Sequence, residues 1–247
     1  MPDAFASDVE IAFPAPKNMK KLPKRGILAA EGLGSLRAAA PSGGADLPPI
    51  LGGRTRLTVW PDCFLAGPVL GAPMAVMALE ELLRRGAEEV VFFGLAGSLD
   101  RSLPIGVSFL PDSGLSTEGT SAHYPAPLAP DSRLRQALAE AGDGPEAVVE
   151  GAVWSTDGIY RETAGLVARQ REAGAGAVDM EATALFAAAG YRKIRLAALL
   201  VISDILDGFQ HETGFQRPEF KKGLSEAAGR AWQVMASATL EEGLDYA

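Results

Sequence analysis

Three acids stand where an acid could do chemistry. Asp179 and Glu181 open the alanine-rich stretch Ala177–Phe186, and Asp204 closes the apolar run Leu196–Ile202 that stops at Ser203-Asp204. A carboxylate accepts hydrogen bonds when ionised and donates a proton when its pKa is raised, so carboxyl groups at the ends of neighbouring elements suit acid-base work on a polar ligand. The run Leu196–Ile202 is short and continuous, the pattern of a strand buried on both faces. Ligands of open α/β sheets bind beyond the carboxyl ends of such strands, which puts Asp204 on the working edge. Ala182, Leu185 and Phe186 fit a buried helix, with Asp179 and Glu181 in its first turn, where negative charge is favourable. Capping that helix accounts for Asp179 as well as function does, whereas for Ser203-Asp204 capping of a following helix or turn is the alternative that stands behind function.

The elements that must position these groups alternate. Gly26–Ala30 reads as a first strand, Pro41–Pro49 as a loop, Arg56–Trp60 as a strand, and Met74–Arg85 as a helix ending near Gly86. Strands follow at Val90–Phe93, Val107–Leu110 and Ala147–Val153, with helices at Arg133–Ala141 and Glu162–Glu172. Such alternation predicts α/β layers. In the last helical region, Glu219–Glu242, residues Phe220, Leu224, Ala228, Ala231 and Met235 recur at near-helical spacing, a stripe suited to packing on the sheet. The 247 residues, 47% of them hydrophobic, suffice for one large domain, expected at 26–247 behind an irregular arm at 1–25.

Composition narrows the function class. A net charge of -8 disfavours nucleic acid as a partner, because such binding leans on cationic contacts to phosphate. The basic cluster Lys17–Arg25 reads as a solvated lead-in segment. Cys63 is the only cysteine, which excludes an intrachain disulfide. Only two histidines, His123 and His211, are present, so no metal is expected. Met1–Glu10 lack the pattern of a secretion signal and no apolar run reaches membrane-spanning length, so a cytoplasmic protein with no membrane partner is expected.

Five segments, in order, resemble the nucleoside phosphorylase superfamily, which holds purine nucleoside phosphorylases, uridine phosphorylases and related nucleoside hydrolases. They are Gly67–Pro73 with the helix after it, Val90–Leu99, Glu118–Tyr124, Ser155–Thr163, and Val178–Ala182 with Ser203-Asp204. The resemblance spans about Leu57 to Asp207. It implies a single-domain, three-layer α/β/α fold with a mixed central sheet. It also implies a pentosyltransferase that splits a purine or pyrimidine nucleoside into free base and ribose 1-phosphate, in salvage. No cofactor is implied, inorganic phosphate being the co-substrate, and the partners implied are nucleoside, phosphate and further copies of the chain.

Residue by residue, the resemblance gives Glu181 the ribose 2′ and 3′ hydroxyls and Met180 an apolar surface against the sugar. Asp204 receives protonation of the departing base, an acid after the serine being associated with purines. Asp179 and Ser203 fall in the same motif. Gly94, Leu95, Ala96 and Gly97 match a glycine loop that approaches base and nucleophile, and Ile159, Tyr160 and Arg161 fall where residues line the base. Arg161 can equally pair with Glu162. His123 and Tyr124 are candidates for a lid or for a neighbouring subunit's site.

The phosphate side departs from the family pattern. Phe92 stands in place of an arginine, Leu95 in place of a hydroxyl residue, and Ala29–Gly34 is a weak analogue of the family's first glycine loop. Arg54, Arg56 or Arg101 would have to substitute as the anion ligand. The same losses suit a hydrolase, which needs no cationic cradle, or a noncatalytic nucleoside-binding protein.

Overall fold

The computed structural model describes residues 19–30, 32–142, 148–208 and 210–237. The expected arm therefore lies outside the described residues as far as position 18, as do Glu31, the start of the strand expected from Ala147, and the end of the last helix beyond 237. Residues 19–24 carry no helix or strand. Lys24 pairs with Glu88 at 3.1 Å and Arg25 with buried Glu89 at 3.2 Å, so part of the basic cluster is neutralised at the floor of the sheet.

Ten strands form one mixed sheet: β1 (Arg25–Ala29), β2 (Ala45–Ile50), β3 (Thr55–Val59), β4 (Cys63–Gly67), β5 (Glu89–Ser98), β6 (Ser108–Ser116), β7 (Val149–Ser155), β8 (Ala175–Asp179), β9 (Arg195–Asp207) and β10 (Gln210–Thr213). The helices are α1 (Leu33–Ala39), α2 (Ala72–Arg84), α3 (Ser132–Glu140), α4 (Ala164–Glu172), α5 (Ala182–Arg192) and α6 (Pro218–Ala236). The mixed α/β fold expected from the sequence is present.

The spatial order is β10-β9-β6-β7-β8-β5-β1-β4-β3-β2, and β9 also pairs with β5. Strands β5, β9, β6, β7 and β8 therefore close into a ring, while β1, β4, β3 and β2 extend from β5 as an open wing. The long strands β5 and β9 run parallel, from Glu89↔Arg195 to Ser98↔Ile205, and each changes its other neighbour part-way. β5 pairs with β1 as far as Phe93 and with β8 from Gly97, while β9 pairs with β6 at Leu200 and Val201 and with β10 from Asp204. Leu196–Ile202 and Val90–Phe93 are fully buried between layers, as their apolar runs predict. Each such Leu, Val, Ile or Phe contributes about 1.5–3 kcal/mol relative to exposure.

Helix α6 packs on β9 and α1, with Phe220, Ala228, Ala231 and Met235 buried and Leu224 half-buried, the face its spacing predicted. It sits so close to the turn before β6 that a Cβ on Gly223 would fall 1.8 Å from the Gly106 carbonyl oxygen.

Four expectations are corrected. The loop expected at Pro41–Pro49 contains β2, whose register on β3 shifts between Leu47 and Ile50, where Pro48 and Pro49 stand. Proline cannot donate to a ladder, but β2 is an edge strand and tolerates it. The glycine loop expected at Gly94–Gly97 is the interior of β5. The strand does not end with the apolar run at Ser203-Asp204: β9 continues to Asp207, which pairs with Gln210, and the chain turns into β10 after Asp207 by way of Gly208, whose φ is 61. Glu162 precedes α4 instead of opening it, because Thr163 is the N-cap, its side chain accepting from Leu166 N.

Candidate active site

Asp179 ends β8 and Glu181 is the N-cap of α5, so both stand just before the helical turn in which they were expected. The Asp179 carboxylate closes this corner. Its Oδ2 accepts from Ala182 N at 2.7 Å and Glu181 N at 3.2 Å, and its Oδ1 accepts from the Ser155 hydroxyl. Ser155 Oγ in turn accepts from Thr183 N at 3.0 Å, and Thr183 Oγ1 donates to Glu118 at 3.2 Å. Burial pushes the Asp179 carboxyl up, to about 6, against the pull of these hydrogen bonds. With both oxygens engaged by the protein, Asp179 serves as a cap that fixes the direction of Glu181, one of the two roles its sequence position left open.

Glu118 anchors the neighbouring loop, accepting from the Ser116 hydroxyl and from Thr120 and Ser121 N. Burial would raise its pKa, but these donors hold it below the ordinary value. His123 is exposed, and Tyr124 donates to Glu80 of α2 at 3.2 Å and meets Tyr191 edge-on.

The buried Glu181 side chain turns toward α2, where its Oε1 accepts from Gly71 N at 2.6 Å. Gly71, with φ 78, is the N-cap of α2, so the Glu181 carboxylate sits at the amino end of that helix, while Asp179 takes the first N–H groups of α5. Met180, beside it, is half-buried.

On the other side of β5, the pairing of β5 with β9 slips by one residue: Ala96 faces Ile202 but Gly97 faces Asp204, so Ser203 is a bulge. Its hydroxyl lies 3.3 Å from the Ala96 carbonyl and donates to Asp204 Oδ1. The other oxygen of Asp204, Oδ2, is 2.7 Å from His211 Nε2 on β10. A Cβ on Gly97 would lie 3.2 Å from that Oδ2 and 2.5 Å from Leu206 Cδ1, so the absent side chain leaves room for the acid.

Val178, Gly97 and Asp204 stand abreast on three adjacent strands. At ordinary strand spacing Asp204 is thus roughly 10 Å from the β8 backbone that leads to Met180 and Glu181. Between β1 and β8, Gly94, Leu95 and Ala96 form the stretch of β5 where the sheet changes partner, a topological switch point of the kind that holds ligands.

The turn Ile159–Arg161 is outside: Tyr160 is 99% exposed, Ile159 52%, and Arg161 is exposed. Glu162, next in the chain, is half-buried, and burial with the nearby Asp204 charge pushes its carboxyl up to about 7, while His211 draws it down. Neither Glu162 nor His211 was marked as a catalytic or binding residue by the sequence. The signal for His211 was Gly208, at whose positive φ the hairpin turns and folds His211 back beside Asp204.

The substitute phosphate ligands fare unevenly. Arg101 binds Asp207, Glu212 and Gln210 and so staples the β9–β10 hairpin. Arg54 donates to the Leu51 carbonyl, and Arg56 is exposed, opposite Gly67. Phe92 is fully buried in the core.

Residues 49–240 match the family described as the Phosphorylase superfamily. The chain belongs to this superfamily. Membership agrees with the pentosyltransferase class anticipated above. This superfamily protein is 30% identical over 181 residues to a guanosine phosphorylase of Halorubrum lacusprofundi, covering 72% of this chain and 75% of that one. It is 30% identical over 146 residues to a DeoD-type purine nucleoside phosphorylase of Jannaschia sp., covering 57% of this chain and 62% of the relative.

Its fold is similar to that of uridine phosphorylase from Vibrio fischeri ES114, with TM-score 0.75 and 20% identity over 89% of this chain and 98% of the other. Purine nucleoside phosphorylase from Toxoplasma gondii, in complex with immucillin-H, gives TM-score 0.75 and 16% identity over 87% and 91%. AMP nucleosidase from Bacteroides thetaiotaomicron gives 0.67 and 22% over 87% and 90%. Among the described residues of this superfamily protein, no helix is long and apolar enough to cross a membrane.

Proposed function

We propose that the protein cleaves the N-glycosidic bond of a purine nucleoside by phosphorolysis, giving free base and ribose 1-phosphate. The observation that carries this reading is the placement of Glu181 and Asp204 on opposite flanks of the β5 switch point. Cleavage builds positive charge on the ribose and negative charge on the departing base. Glu181, held at the amino end of α2, accepts from a pair of ribose hydroxyls, with Met180 against the sugar. Asp204, 16% exposed at its side chain, donates a proton to the base nitrogen as it leaves. Gly94–Gly97 bring backbone close to base and sugar, and Ile159, Tyr160 and Arg161 stand at the mouth to cover the base. The guanosine phosphorylase relative makes a 6-oxopurine nucleoside the first substrate to try.

A hydrolytic reading has its own support in buried Phe92, in half-buried Leu95 and in Arg101, which is occupied by the hairpin acids. Water as nucleophile requires no cationic cradle. Chromatography of guanosine, inosine, adenosine and uridine incubations, with and without inorganic phosphate, tests both. Phosphate-dependent appearance of free base with ribose 1-phosphate is the expected result. Phosphate-independent appearance of free ribose supports the hydrolase, and no base from any nucleoside overturns both in favour of a binding protein.

The protein is further proposed to work as a homo-oligomer in the cytoplasm without a cofactor. Exposed Leu70 and Met77 at α2 and Tyr191 at the end of α5 offer apolar surface for a second copy.

A further inference from the structure

We propose that His211 is a positioning residue that relays a proton between solvent and the Asp204 carboxyl, a role that rests on the reading of Asp204 as the group that protonates the departing base.

The hairpin builds this pair. In the antiparallel register Thr213 faces Asp204 and His211 faces Leu206, and alternation along each strand puts all four side chains on one face. His211 Nε2 then lies 2.7 Å from Asp204 Oδ2, while Ser203 occupies Oδ1. The two oxygens thus have different partners, one a hydroxyl inside the sheet and one an imidazole that faces out. Exposure runs along this axis: the Asp204 side chain is 16% exposed and that of His211 58%. Beyond the imidazole is a cavity of about 230 Å³ lined by Glu162, Val167, Leu206 and His211.

The backbone under His211 is clamped, Arg101 binding Asp207, Gln210 and Glu212 and Arg217 binding Glu212 at 2.7 Å. The charged groups around the imidazole are therefore Asp204 and Asp207 on β9, Glu212 on β10, Glu162 before α4, Arg171 of α4, Arg101 after β5 and Arg217 before α6. Glu162, its carboxyl raised to about 7 by burial and the Asp204 charge, holds a proton close to neutrality beside the pair.

The proton balance is simple. As the glycosidic bond breaks, its electron pair goes to the base nitrogen and the Asp204 proton passes to the base. The carboxylate left behind takes the Nε2 proton of the imidazolium, the half-exposed imidazole regains one from solvent, and the hydrogen phosphate that bonds to the ribose carbon gives one up to solvent, so no net proton is consumed. Synthesis of the nucleoside runs the same steps in reverse.

The test uses the full chain, guanosine with phosphate, and a p-nitrophenyl riboside whose leaving group departs without a proton. His211→Ala is expected to lower kcat for guanosine about 10- to 100-fold, less than the roughly 10²–10⁴-fold of a direct general acid because Asp204 is retained, and to change the p-nitrophenyl riboside less than about 3-fold. Added imidazole is expected to restore guanosine turnover, with a pH profile that follows the added base, whereas His211→Gln, which can hydrogen-bond but not titrate, is expected to stay slow. Equal loss on both substrates, or no recovery with imidazole, overturns the relay and leaves His211 a brace of the hairpin. A wild-type enzyme that releases nothing from either substrate overturns the role of Asp204 itself, and the relay with it.

Discussion

A buried carboxylate does different work according to which of its oxygens the fold already occupies. Asp179 has protein donors on both and is a cap, whereas Asp204 shares its oxygens with Ser203 and His211, two groups that can turn or titrate. Asp179→Asn leaves one acceptor oxygen for donors that now use two. It is expected to cost about 1–3 kcal/mol, read as a lower urea midpoint, together with weaker nucleoside binding as Glu181 loses its direction. Glu181→Ala is expected to lower kcat/KM for any active nucleoside about 100-fold or more, as when a charged hydrogen-bonding partner is removed from a site; unchanged kinetics would remove the ribose role. Asp204→Asn should slow guanosine far more than a p-nitrophenyl riboside. Equal losses on the two would argue against proton donation.

Glu162 sets a pH dependence whose sign is fixed by its raised pKa. A folded value of about 7 against an ordinary 4.5 means that its stabilising contribution is full below pH 4.5 and is lost as pH rises through 7. Glu162→Gln is therefore expected to gain on wild type above pH 7, by about 1 kcal/mol once its partial solvent exposure is allowed for. Urea midpoints at pH 5 and pH 8 measure the difference; a gain at pH 5 instead would contradict it. At this scale the acids were legible in the motif around Met180 and in Ser203-Asp204. Their partners were not: Gly71 is 110 residues from Glu181, and nothing local in a sequence announces a contact of that span.

Among the elements, runs of apolar residues told more than their ends did. Leu196–Ile202 was readable as a buried strand because burial on both faces demands an unbroken apolar run. Its continuation to Asp207 was not, because past Ile202 the apolar run is broken by Ser203 and Asp204 and the strand persists through its pairing with β5 as far as Ile205 and with β10. The Ser203 bulge was equally hidden, since a bulge exists only in relation to the partner strand. The bulge and Gly97 act together: one residue is added on β9 and a side chain is absent from β5, so that Asp204 can lie across the step. Gly97→Ala would press a methyl against Leu206 and Asp204. The expected outcome is a stability loss of about 1–3 kcal/mol, seen in urea unfolding, and a larger proportional loss of activity on guanosine than on the p-nitrophenyl riboside.

For the molecule as a whole, alternating strands and helices implied α/β layers, yet they did not imply that five of the strands close on themselves. Closure depends on β9 finding both β5 and β6, contacts that no periodicity encodes. Burial of the α6 stripe, by contrast, followed from its spacing. Light scattering on the purified protein is expected to give a dimer or larger assembly, and a monomer at working concentration would count against a shared site.

The change of partners along β5 and β9 also divides the sheet into two exchange regimes. Amides of Val90–Phe93 lie between two ladders, to β1 and to β9, and should give up their protons to deuterium only when the whole domain opens. Those of Leu206 and Asp207, past the last pairing with β5, are held by a four-residue strand at the sheet's end and should exchange through its local fraying. A nucleoside that seats against Asp204 would then slow the second set alone, so that the binding event is written in the labelling pattern of one short hairpin.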